Sequence, residues 1–92
     1  MKTGRIRIDD DSLNFAGINR GDVTLVKLGA RPKDGQLCAA FLPTGHLRIR
    51  CYGEDLDGNI ILDKGPDSKL IQVFAPGALV VFGPVVGVER GQ

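Results

Sequence analysis

Glycine and proline punctuate this chain so often that no long element can form between them. Thirteen glycines and five prolines are spread through 92 residues. Between them lie short β-branched or alternating runs, the pattern of an all-β protein built from many short strands. A helix of ordinary length needs sustained 3.6-residue periodicity over ~10 residues or more, and no window supplies it. Only residues 12–16 fit a helical turn, with Gly17 as its stop and Asp11 or Ser12 as its N-cap.

Read in order, residues 5–8 make a strand with Ile6 and Ile8 inward and Arg5 and Arg7 outward. Residues 23–28 make a second, and Arg31-Pro32-Lys33-Asp34-Gly35 has turn chemistry. Residues 36–42 and 46–52 form a hairpin around Pro43-Thr44-Gly45. If Leu42 pairs with Leu47, Ala40 meets Ile49 and Cys38 meets Cys51 on one apolar face. His46, Arg48, Arg50 and Tyr52 then share the opposite face. A polar loop follows at 53–58, a strand at 59–63, a turn at 64–69, and strands at 70–74 and 79–89. Gly83-Pro84 predicts a bend or bulge in the last of these. No repeat, low-complexity tract or linker divides the chain, so residues 1–92 read as one domain.

Composition excludes several functions. Hydrophobic residues make up 42 % and charged residues 25 %, ordinary globular values. Twelve basic side chains nearly cancel eleven acidic ones, which leaves no basic excess for direct nucleic-acid binding. With 5 % aromatics, no Trp and one Tyr (Tyr52), there is no base-stacking platform. No apolar run approaches the ~18 residues of a membrane span, and the N-terminus leads into no signal-peptide core. The expectation is a cytoplasmic protein. Its two cysteines, Cys38 and Cys51, are too few for a disulfide scaffold. They are either a cross-strand disulfide, if the register above holds, or small buried hydrophobes in a reducing compartment. One histidine, His46, falls short of the ligands a structural zinc needs, and its place beside a Pro/Gly turn reads as exposed. Neither a metal nor a cofactor is expected.

Three clusters invite chemistry. Asp55-Leu56-Asp57-Gly58-Asn59 resembles the start of a calcium loop. However, Ile60 stands where that loop needs glycine and Pro66 where it needs glutamate, so it reads as a polar turn. Asp9-Asp10-Asp11-Ser12 is either a carboxylate cluster for a metal or a solvated loop capping the short helical turn. Arg48 and Arg50 project from one strand face, where they either hold phosphate or carboxylate or lie solvated and ion-paired.

Three further segments, in order, carry a resemblance. Gly17-Ile18-Asn19-Arg20-Gly21-Asp22 precedes a strand, Asp34-Gly35-Gln36 opens the next, and Val81-Phe82-Gly83-Pro84-Val85-Val86-Gly87-Val88 closes the chain. Together they resemble the C-terminal peptidase domain of the LexA/UmuD family over residues 6–90. The resemblance implies a fold of several short coiled antiparallel sheets and a regulatory setting such as the SOS response; the exposed edges of such a sheet and the apolar run at 79–88 suit self-association as a dimer. It also implies a Ser–Lys dyad. Counting back from the Gly-Ile segment puts Ser12 at the nucleophile position, with Leu13 for the family's Met and Asp10 for its Gly. Counting forward puts Arg50 at the position of the general-base lysine. A buried lysine can shed its proton and accept one from serine, whereas arginine keeps its proton and cannot. Eleven residues precede Ser12, which carries the expectation that neither a cleavage segment nor a DNA-reading helix-turn-helix is present. Of the lysines that could stand in, Lys27, Lys33, Lys64 and Lys69, the last three fall in predicted turns, where solvent and not burial surrounds the amine. The reading is a non-catalytic LexA-like interaction module, with an active Ser-dependent self-processing peptidase as the alternative.

A second resemblance covers only the start. Gly4-Arg5-Ile6-Arg7-Ile8 with Gly17-Ile18 and Gly21-Asp22 is similar to AbrB-type swapped-hairpin DNA-binding domains. Asp9 stands where those domains usually have Pro, and the acidic stretch after it would repel phosphate.

Overall fold

Strand boundaries follow the punctuation. The computed structural model describes residues 2–63, 65 and 71–91. These form β1 (Thr3–Arg7), β2 (Val23–Lys27), β3 (Leu37–Phe41), β4 (Leu47–Glu54), β5 (Ile60–Asp63), β6 (Ile71–Phe74) and β7 (Val80–Glu89), with a 3-10 turn at Asn14–Ala16. Every pairing is antiparallel, in one sheet ordered β1-β2-β7-β3-β4-β5-β6. The protein is all-β, as its sequence predicts. The turn expected at 64–69 lies, Gly65 apart, outside the described residues.

The last strand enters the middle of the sheet. β7 pairs with β3 through its first half and with β2 through its second. Two bulges make this possible. Ala39 and Ala40 pair with Gly83 and Val81, leaving Phe82 unpaired, and Leu25 and Val26 pair with Gly87 and Val85, leaving Val86 over. An extra residue bends and twists its strand, so β7 can serve two differently directed neighbours. At the bend Gly83 has φ +154°, and a Cβ there would run into the Lys27 carbonyl. Only glycine passes that point.

Two apolar clusters form the core, one on each face of β3. Ala39 joins Ile8, Leu13, Ile18, Val26 and Ile49 on one face; Cys38 and Ala40 join Leu42, Tyr52, Leu62 and Leu79 on the other. Buried Asp22 ties the first cluster to the C-terminus. Its carboxylate accepts from the Asn19 amide, the Gly91 amide and the Arg90 guanidinium, each at 2.9 Å. Those donors, the Asn19 amide foremost, hold its pKa below the usual carboxylate range.

The hairpin register differs from the expected one by a single residue. Leu42 and His46 close the loop, the Leu42 amide donating to the His46 carbonyl at 2.8 Å, so Phe41 opposes Leu47 and Cys38 opposes Arg50. The cause is Gly45, whose φ of +89° completes a three-residue Pro-Thr-Gly loop of the kind that ends in a left-handed residue. Because side chains alternate with period two, this shift reassigns faces. Cys51 now opposes Leu37, so Cys38 and Cys51 lie on opposite faces and are free thiols. Arg48 and Arg50 sit across from Ala40 and Cys38. Small partners leave room for the guanidinium stems, and Arg50 is buried where a solvated face was one of the expected readings.

Candidate functional site

Beyond β1 the chain reverses through an aspartate turn. The Asp10 carboxylate accepts both the Ser12 amide, at 3.1 Å, and the Ser12 hydroxyl, at 2.7 Å. An Asp two residues before a Ser supplies this local bond without any long-range help. Leu13 then drops into the first core cluster and starts the 3-10 turn. Gly17 ends it in the left-handed conformation, donating to the Asn14 carbonyl at 3.0 Å. Neither Asp11 nor Ser12 caps this turn, contrary to expectation: Leu13 is the N-cap and no side chain caps it. The Ser12 hydroxyl is committed to Asp10, and the Asp11 carboxylate lies 3.5 Å from Arg20.

This reversal lays residues 8–13 against the first half of β4. Strand β5 pairs with β4 only from Cys51 onward, so residues 47–50 have β3 as their only strand partner among the described residues. A cavity of about 30 Å³ lies between the two segments, with Asp10, Ser12, Arg48 and Arg50 in its lining. Ser12 and Arg50, assigned from opposite ends of the sequence motif, therefore share one cavity. Asp10 is the partner that sequence reasoning missed. The Asp-x-Ser spacing is the signal that could have found it.

The electrostatics are unusual at Arg50. Only 7 % of the residue is exposed. One terminal nitrogen donates to the Ile49 carbonyl at 2.9 Å, while Nε–H has no acceptor among the described residues. A buried donor left so costs about 1–3 kcal/mol. Burial foremost, and then the Arg48 charge, pull the Arg50 pKa down, against Asp10. It remains a cation throughout the ordinary pH range. Asp10 is pushed down, first by the Ser12 hydroxyl and then, against its own partial desolvation, by the Ser12 amide and the two arginines.

Chemically, this set can hold negative charge but offers serine no competent base. A proton leaving Ser12 needs an acceptor near neutral pKa, and a carboxylate pushed below its usual range is a weaker base than usual. Neither Lys27 nor Lys33 lines the cavity, and Lys64 and Lys69 lie outside the described residues. His46 is exposed beside Thr44, its Nδ1 3.3 Å from the threonine hydroxyl.

The other clusters resolve into local structure. Asp55 accepts from the Asp57 and Asn59 amides, both at 2.9 Å, and from the Asn59 side chain at 3.0 Å. It is the polar turn read from the sequence. Among the described residues no three His, Cys, Asp or Glu side chains converge as metal ligands. No helix there is long and apolar enough to cross a membrane. A wider cleft of about 260 Å³ is lined by Arg31, Pro32, Tyr52, Ile60 and Val81. Beside it, Glu54 takes hydrogen bonds from the Tyr52 hydroxyl (2.5 Å) and the Arg31 guanidinium. Comparison with known proteins leaves the resemblance resting on these residues: no family model matches the chain, and no curated protein matches it.

Proposed function

We propose that this protein is a LexA-like β-domain without peptidase chemistry, acting as an interaction or dimerisation module in a regulatory, stress-response or repressor-like, setting in the cytoplasm. One observation carries the non-catalytic part: the Ser12 hydroxyl donates to Asp10 in a cavity whose cations are guanidiniums. Those cannot take a proton from serine. The interaction part draws on the surface. Strands β1 and β6 are the sheet edges, and unpaired edges favour association. Leu47, Phe41 and Val80 are neighbours across β4, β3 and β7, and all three side chains are exposed.

Incubation across about pH 7 to 10, the range in which an amine base would titrate, with a peptide spanning a LexA-type cleavage site tests this. The expected result is no Ser12-dependent product. Cleavage that vanishes on Ser12→Ala would overturn it and favour the active peptidase, which draws on the same meeting of Ser12 and Arg50. Sedimentation at rising concentration tests self-association, with a concentration-dependent dimer expected. The AbrB-like DNA-binding alternative draws on the first residues alone. There Arg5 pairs with Glu89 and Arg20 with Asp11. Steeply salt-sensitive retention on duplex DNA would favour it.

A further inference from the structure

Arg50 is over nine-tenths buried, yet its Nε–H meets no acceptor among the described residues. A hydrogen-bond donor on a permanent cation rarely stays unanswered inside a protein. Arg50 lines a cavity together with Ser12 and Asp10, and one Asp10 oxygen is already engaged by Ser12.

The charge balance of the lining points to the missing partner. Arg48 and Arg50 stand beside one half-buried carboxylate, Asp10, on which both charges act, so one positive charge is left over among the described residues, while Arg7 and Asp9 at the rim are exposed and offset each other. A volume of about 30 Å³ takes a group of two or three small atoms, given that a single water needs ~10–15 Å³. One surplus charge, a small volume and a planar guanidinium fork fit a carboxylate, which accepts from arginine in its own plane. A phosphate dianion would be larger and would meet the Asp10 charge more strongly.

We propose that the cavity between residues 8–13 and the first half of β4 binds a single carboxylate, with the buried Arg50 guanidinium as donor and Arg48 as second cation. The site deepens the non-catalytic reading and rests on it in one respect: Ser12 lines the cavity as a polar wall, not as a nucleophile. The carboxylate comes either from a free small acid or from a partner chain, and the two sources are separable.

The test follows the Arg50 Nε–Hε resonance of ¹⁵N-labelled full chain by NMR. Titration with sodium acetate, against sodium chloride at matched ionic strength, should move it saturably, together with the Ser12 and Leu13 amides. A short apolar peptide with a free C-terminal carboxylate, against the same peptide amidated, forms the second arm. Acetate and the free peptide both acting indicate that a small acid suffices, whereas the free peptide alone acting indicates a partner chain. No acetate- or carboxylate-specific shift in either arm overturns the proposal and leaves Arg50 Nε–H to solvent. Read at the Ser12 and Leu13 amides, Arg50→Lys should weaken the response at least tenfold and Arg31→Gln should leave it intact; an equal loss in both also overturns it. Mass spectrometry of the same peptides separates the underlying reading. Ser12-dependent hydrolysis would remove the non-catalytic reading whatever the titration shows, and a silent titration without hydrolysis removes only the carboxylate site.

Discussion

Two arginines near Tyr52 live under opposite conditions. Arg31 is largely exposed, and the Glu54 carboxylate, which also accepts from Tyr52, meets its guanidinium; those contacts, the Glu54 hydrogen bond first, push its pKa up. Arg50 lies two residues before Tyr52 on the same face of β4, but it is buried and incompletely bonded, and its pKa is pulled down. An arginine with its carboxylate in place and water around it is a surface ion pair of small consequence. Arg50 instead lines a cavity, with its Nε–H unanswered among the described residues, and it is there that the carboxylate site is proposed. Burial and incomplete hydrogen bonding, more than the charge itself, set Arg50 apart from Arg31.

That contrast can be broken by reversing each charge. Arg50→Glu puts an unpaired carboxylate beside Asp10 and should cost about 3–5 kcal/mol in urea denaturation, while Arg31→Glu should change stability little. Equal effects would erase the distinction. Arg50→Met keeps most of the stem's volume and removes the orphaned donor, so stability should stay within about 1 kcal/mol of the parent or rise. A loss of several kcal/mol would mean that Arg50 has a structural partner.

Cys38, opposite Arg50, reports how dry this side of the sheet is. Burial foremost pushes its thiol up to about 12, against ~8.5 in an unfolded chain. A raised folded pKa stabilises fully below the unfolded value. Stability should therefore decline as pH rises from about 9 toward 12, and Cys38→Ala should flatten that decline. A thiol reagent at neutral pH should modify half-buried Cys51 first and Cys38 only on unfolding. The smallest effect belongs to Ser12→Ala, which removes one partly buried hydrogen bond and should cost about 0.5–1 kcal/mol. It should also raise the Asp10 pKa, since the Ser12 hydroxyl is the first cause of its depression. The contribution of Asp10 is present above the unfolded value of ~3.9 and lost as pH falls through the folded pKa. In Ser12→Ala that acid loss should be smaller and complete at higher pH, with the Asp10 titration, followed by its carboxyl chemical shift, moved to higher pH.

Punctuation made the strands legible. Alternation of Ile6 and Ile8 with Arg5 and Arg7, the turn residues at 31–35 and the Gly83-Pro84 break each act locally, and each appears where read. Register was not legible to the residue, because one left-handed glycine at position 45 decides whether Cys38 faces Cys51 or Arg50. The site inherited that difficulty. Motif spacing brought Ser12 and Arg50 together on paper, and they do share a cavity. What no local pattern could reveal is that Arg50 is buried, since that depends on small residues across the hairpin and on a loop folding back from β1. The Asp10–Ser12 bond was within reach of sequence reasoning, but the acidic run offered too many candidate caps.

The central claim is that Ser12 is a hydroxyl held by a carboxylate beside fixed cations, with no general base among the described residues that line its cavity. Reaction with a fluorophosphonate, followed by intact-mass measurement from about pH 7 to 10, tests it directly. The account predicts an unmodified chain at every pH. A single adduct that maps to Ser12, grows with pH and disappears in Ser12→Ala would contradict it.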